Sequence, residues 1–153
     1  MKPILPAVIV TGLTMALLAG CSTPGAYKKR SDLVSNPAAC AAKRFEVYFD
    51  NDQAGLTTAA REAISLTATQ LQGCDITKVQ VLGLADARSG TAAVNQSLSE
   101  RRARSVAEAL AAAGLPAPAF EVAAAGAEGA VVNGVNDPLR RRTEVLIEAK
   151  PRR

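Results

Sequence analysis

The chain has no histidine and no tryptophan. The first absence removes the commonest general base and the commonest metal ligand, and the second removes the best platform for stacking nucleic-acid bases. Aromatic residues make up only 3% of the 153 positions, so a core must be built from Val, Leu, Ile and much Ala, within a hydrophobic content of 48%. Three cysteines without histidine supply too few ligands for a zinc site. No nucleophile stands paired with a base, so no catalytic residue, metal or cofactor is assigned. Long apolar runs are scarce too. Ile4 to Ala19 is the exception, but Pro6 and Gly12 break it, and it is too short for a comfortable membrane span. The net charge is +4, from 18 Lys and Arg against 14 Asp and Glu. That balance favours anionic partners, and it is equally what a solvated basic surface gives.

Met1-Lys2 gives the apolar run a positive start, and Leu18-Ala19-Gly20-Cys21 closes it. This ending resembles the bacterial lipobox. The resemblance implies cleavage before Cys21, a diacylglyceryl group on its thiol and an acylated new amino terminus. Several acyl chains anchor stably where one does not. Ser22, rather than Asp, after the cysteine resembles the pattern sorted to the outer membrane. Residues 1–20 are thus expected to be a signal peptide, and 21–42 a lipidated cysteine with a flexible linker. Pro24, Gly25, Lys28-Lys29-Arg30, Asn36 and Pro37 fit a linker. Fully stretched, it would reach roughly 70 Å. The mature chain is expected to lack a transmembrane helix, and an exported protein meets little nucleic acid.

Residues 43–150 read as one folded domain. Phe45, Val47 and Phe49 alternate with polar neighbours, as in a half-buried strand. Thr57 or Thr58 can cap a helix running to about Leu71, with Ala60, Ile64, Ala68 and Leu71 on one stripe and Gly73 ending it. Val79 to Leu84 is a second strand. Asp86 to Asn95 reads as a loop or short helical turn, and Ser99 as the cap of a second helix that reaches Ala113 before Gly114-Leu115-Pro116. Phe120 to Ala125 and Thr143 to Ala149 are strands, joined by a Gly- and Asn-rich loop. The order βαβαββ predicts an α/β (α+β) two-layer sandwich, with helices on one mixed sheet. A βαβ unit brings Cys40 and Cys74 to the same end. In an oxidising, exported location a disulfide between them is expected; two free thiols are the alternative.

Gly83-Leu84-Ala85-Asp86, Asn95, Leu98-Ser99, Arg102-Ala103 and Val106 resemble the signature of the OmpA-like C-terminal domain. Phe49-Asp50-Asn51-Asp52 resembles that family's first-strand motif, and Arg141-Arg142-Thr143-Glu144-Val145 its closing R-R-V-E-I. The similarity extends from about Phe45 to Ala149. With the lipobox, the architecture is similar to a peptidoglycan-associated lipoprotein. The resemblance implies non-covalent binding of the diaminopimelate side chain of the peptidoglycan stem peptide. Asp86 would take the ligand's ammonium, and Arg102 its carboxylate through a bidentate fork. Backbone N–H groups around Leu98, Ser99 and Glu100 would assist from a helix start. Asp52 and Asn95 would line or brace the pocket. Without ligand, Asp86 and Arg102 would pair with each other.

The chain departs from the signature in three places. Asp86 to Gly90 is one residue longer than the usual D-x-x-G spacing, Leu84 replaces a His or Tyr, and Val94 replaces a Tyr. As a rim residue, Arg102 is expected to tolerate replacement by Ala without loss of the fold. Arg140-Arg141-Arg142 is assigned to the edge and surface of the last strand. Two other classes compete with a wall tether. One is a subunit of an envelope complex that uses this fold for protein contacts. The other is a wall-acting enzyme using Asp50, Asp52 and Asp86 as paired carboxylates.

Overall fold

Alternating residues of strand β1 (Lys43–Tyr48) and the Phe49 that follows it aim at a core filled from above by two helices. A computed structural model describes residues 40–88 and 90–152. The expected signal peptide, Cys21 and nearly all of the expected linker lie outside the described residues. After β1 come α1 (Thr58–Gln70), β2 (Cys74–Gly83), α2 (Ala92–Ala112) and β3 (Phe120–Ala124). A small hairpin of β4 (Val131–Val132) and β5 (Val135–Asn136) follows, and β6 (Arg142–Pro151) ends the fold. The main sheet has the order β1-β6-β2-β3. The crossover through α2 makes β2 and β3 parallel, and β6 returns antiparallel between β1 and β2.

One face of this sheet carries Val47, Val79, Val81, Val145 and Ile147, all buried. Ala60, Ile64 and Ala68 of α1 and Ala103, Val106 and Leu110 of α2 close over it. Each large apolar side chain buried there contributes about 1.5–3 kcal/mol. Alanine at the helix–sheet contacts offsets the shortage of aromatics by letting the layers approach closely. Gly83 shows how closely: a Cβ there would lie 2.0 Å from the Ser99 carbonyl oxygen. Any side chain at this position would push α2 off the end of β2.

The expected α+β two-layer sandwich is the observed fold, with the starts of α2 and β2 moved and a short hairpin added. Thr57 caps α1, its hydroxyl accepting from the Ala60 N–H at 3.1 Å. Helix α2 begins at Ala92 under a Thr91 cap, not at Ser99, and so starts roughly two turns earlier than expected. Strand β2 begins at Cys74 rather than Val79, with a register shift between Ile76 and Lys78. The loop before β6 holds the β4–β5 hairpin, whose central Asn133 and Gly134 have φ of 52° and 76°. Both values are positive, as a tight two-residue hairpin turn requires.

Cys40 and Cys74 are joined in a disulfide with Cα atoms 5.6 Å apart. Cys40 therefore belongs to the folded unit. No helix among the described residues is long and apolar enough to cross a membrane.

Candidate functional site

At the end of the sheet away from the disulfide, β1, β2 and β3 present their carboxyl ends and β6 its start. Open α/β sheets place ligands at this edge. Chain segments from four parts of the sequence meet there. Gly83 ends β2, and the Leu84 N–H donates to the Arg142 carbonyl at 2.9 Å. The Ala85 N–H donates to the Gly126 carbonyl at 2.7 Å, and the Ala87 N–H to the Asn136 side-chain oxygen at 2.9 Å. These bonds hold Asp86 between them. Its side chain is 0% exposed. The Phe49 N–H donates to the Arg141 carbonyl at 2.9 Å, which carries the 50–53 turn and the start of β6 to the same place.

Arg102 is also 0% exposed, and it corrects the sequence reading twice. It sits roughly three turns into α2 rather than in its first turn, and it is a core residue rather than a rim residue. Its Nε donates to the Gln53 carbonyl at 2.8 Å, Nη1 to the Leu84 carbonyl at 3.0 Å and Nη2 to the Asp50 carbonyl at 3.2 Å. The guanidinium also stacks on Phe49, 5.1 Å from the ring centroid. One side chain thus ties together the 50–53 turn, the end of β2 and α2. Burial lowers its pKa from the ordinary arginine value. The Asp86 and Asp52 charges push it back up, and that of Arg141 pushes it further down. Arginine stays cationic throughout.

Asp86 is bound by Arg141 in an ion pair, Nη1 to Oδ2 at 3.1 Å. An Asp86–Arg102 pair was the sequence expectation for the unliganded protein. An arginine expected at the surface of the last strand makes this ion pair. The antiparallel return of β6 is what brings Arg141 to the end of β2. Arg142 behaves as a strand-surface residue should, pairing with Glu46 and Glu144. Arg140 donates to the Glu128 carbonyl.

Asn95 is buried on the same face of α2, and its Nδ2 donates to the Gly90 carbonyl at 3.2 Å, bracing the loop after Asp86. Its Oδ1 has no hydrogen-bond partner among the described residues. Asp52 is exposed at the rim, with φ of 56°. Leu98 and Ser99 are buried well inside α2. The N–H groups of 98–100 are therefore helix-interior donors facing carbonyls one turn back, not donors at a helix start. The Ser99 hydroxyl donates to the Gln96 carbonyl at 2.8 Å and accepts from the Gly126 N–H at 3.0 Å, fastening α2 to the chain after β3. Arg101 and Arg104 are exposed. Phe49, Asn136 and Arg141 were not assigned to the site from sequence. A shallow groove of about 460 Å³ lies on the open face of the sheet, but one of its charges, Glu121, is paired at the surface with Lys78 at 3.1 Å, and it holds no buried acid.

The molecule is a two-layer α/β domain with a buried acid–guanidinium cluster at the carboxyl end of its sheet. It belongs to the OmpA family, whose model matches residues 48–143. It is similar to the outer-membrane lipoprotein YfiB of Pseudomonas aeruginosa, 34% identical over 108 residues, which are 69% of this chain and 64% of that protein. It is also similar to outer membrane protein A of Klebsiella pneumoniae, 33% identical over 103 residues, 66% of this chain and 30% of that one. The chain thus spans less than two thirds of the length of either relative. The peptidoglycan-associated lipoprotein from Burkholderia pseudomallei superposes with a TM-score of 0.59 at 26% identity, covering 69% of this chain and 91% of that one. The OmpA-like domain of FopA1 from Francisella tularensis shares the fold, with a TM-score of 0.60 at 24% identity over 71% of this chain and 74% of that one.

Proposed function

We propose that this protein is an outer-membrane lipoprotein that binds the diaminopimelate-containing stem peptide of peptidoglycan without cleaving it. It would tether the membrane, through acylated Cys21, to the wall. The observation that carries the reading is the burial of a carboxylate and a guanidinium together, Asp86 and Arg102, at the edge where such sheets bind ligands. Three of the five Arg102 N–H donors are taken by carbonyls. The other two would address the ligand's carboxylate, and Asp86 its ammonium. Asn95 would offer its Oδ1, which has no partner among the described residues, Asp52 would supply negative charge at the rim, and Leu98 and Ser99 would form the helical wall behind. The relatives support an envelope location, since they are outer-membrane proteins and lipoproteins by name.

The test is co-sedimentation of the purified chain, in mild detergent, with diaminopimelate-type sacculi. Wild type should pellet. Asp86→Asn, which keeps the shape and removes the charge, should stay in the supernatant while still melting cooperatively. A folded wild type that stays soluble at excess wall would falsify the reading. A second reading is a subunit that uses this fold for protein contacts in an envelope complex. Val131, Val132 and Val135 of the hairpin and nearby Leu139, all exposed beside the site, favour it. In that case Asp86→Asn should leave localisation and partners unchanged.

A further inference from the structure

Two arginines address the same corner of the molecule, and they are held very differently. Arg102 is locked by three carbonyls and a ring. The Arg141 backbone is fixed, its carbonyl accepting from the Phe49 N–H and its N–H donating to the Pro138 carbonyl at 3.3 Å. Its side chain is 31% exposed and rests on Asp86, which is fully buried. The Arg141 Nε is buried with no hydrogen-bond partner among the described residues. Arg141 therefore forms the outer layer over the carboxylate, and it is incompletely satisfied there. The Asp86 carboxylate lies beneath it.

We propose that Arg141 is a displaceable counter-ion that sets the ligand specificity of the site. This inference rests on the wall-binding reading above. Arg141 Nη1 holds Asp86 Oδ2, so an ammonium that pairs with that oxygen takes the place of the Arg141 guanidinium. A ligand bearing only an ammonium exchanges one cation for another and leaves Arg141 unpaired beside Arg102, so it gains little. A ligand that carries a carboxylate next to its ammonium supplies an anion for both guanidiniums while its ammonium takes Asp86. Such charge-assisted bonds are about twice as strong as neutral ones. Arg141 thus rejects simple amines, such as the side chain of a lysine-type stem peptide, and admits the zwitterionic end of a diaminopimelate-type one.

Calorimetric titration of the purified chain with two synthetic stem peptides tests this. One peptide carries meso-diaminopimelate at the third position and the other carries L-lysine. Wild type should bind the first and discriminate against the second. In Arg141→Gln the lysine peptide should gain about tenfold in affinity, the scale of one charge-assisted hydrogen bond, and the ratio between the peptides should narrow. Arg141→Lys keeps the charge and should keep the discrimination. If wild type binds the diaminopimelate peptide and the ratio is unchanged in folded Arg141→Gln, this inference falls and wall binding stands. Loss of discrimination in folded Arg141→Lys overturns it as well. If neither wild type nor Arg141→Gln binds either peptide, the wall-binding reading fails and takes this inference with it.

Discussion

The two ends of the sheet are built on opposite principles. At the disulfide end, Cys40, Leu71, Cys74 and Leu115 are buried, and a covalent bond joins the start of β2 to the segment before β1. At the other end lie Asp86, Asn95, Ser99, Arg102 and Thr143, all the buried polar or charged residues among those described. Helix α2 spans the contrast. Its first half buries Asn95, Ser99 and Arg102, and its second half buries Val106 and Leu110. Burying polar groups costs free energy that apolar packing does not. Their segregation to one end means that one half of the domain supplies stability, and the other half spends some of it on a preformed charged corner.

If the contrast holds, the largest effect should come from Arg102→Ala. Three carbonyl oxygens and the Phe49 ring would lose their partner, and Asp86 would lose a nearby cation. A loss of about 3–5 kcal/mol is expected, the range for breaking a buried charged network. Denaturant unfolding measures it, and wall binding should vanish at the same time. A midpoint close to wild type would return Arg102 to the rim role expected from sequence. The double variant Cys40→Ser/Cys74→Ser probes the other end. The bridge closes a sequence separation of 34 residues, so chain entropy gives a loss of about 3–4 kcal/mol. Affinity for the wall, measured where the variant is still folded, should not change. A fall in affinity there would show that the ends are coupled.

The strands and the first helix were legible in the sequence because their buried positions are apolar and periodic. Val47 with Phe49, and Ile64 with Ala68 and Leu71, lie where the pattern placed them. The start of α2 was not legible, for a reason tied to the site. The buried stripe there is Asn95, Leu98, Ser99 and Arg102, helical in spacing but mostly polar, so an apolar periodicity does not report it. The same polarity made Ser99 look like a cap. Asp86 and Arg102 could be picked out by their resemblance to a family signature, but the burial of Arg102 could not. The Arg141–Asp86 pair joins residues 55 apart, through a strand return that only the sheet order reveals. Asn133-Gly134 is a recognisable hairpin signal, flanked here by strands of only two residues each, too short to show alternation.

The smallest change sharpens the comparison most. Asn136 in β5 accepts the Ala87 N–H at 2.9 Å and is the hairpin's hold on the loop that follows Asp86. Asn136→Ala should cost only about 1 kcal/mol of stability, the net worth of one such bond. It should nevertheless weaken wall binding several-fold, because the chain beside Asp86 is then less well positioned for a two-point clamp. The disulfide variant should show the reverse, a large stability loss with unchanged affinity. Measured side by side, the two variants separate positioning from stability. If Asn136→Ala leaves affinity untouched, the Asp86 loop holds its geometry without the hairpin. The exposed valines of the hairpin would then be better explained by contact with a partner protein than by support of the site.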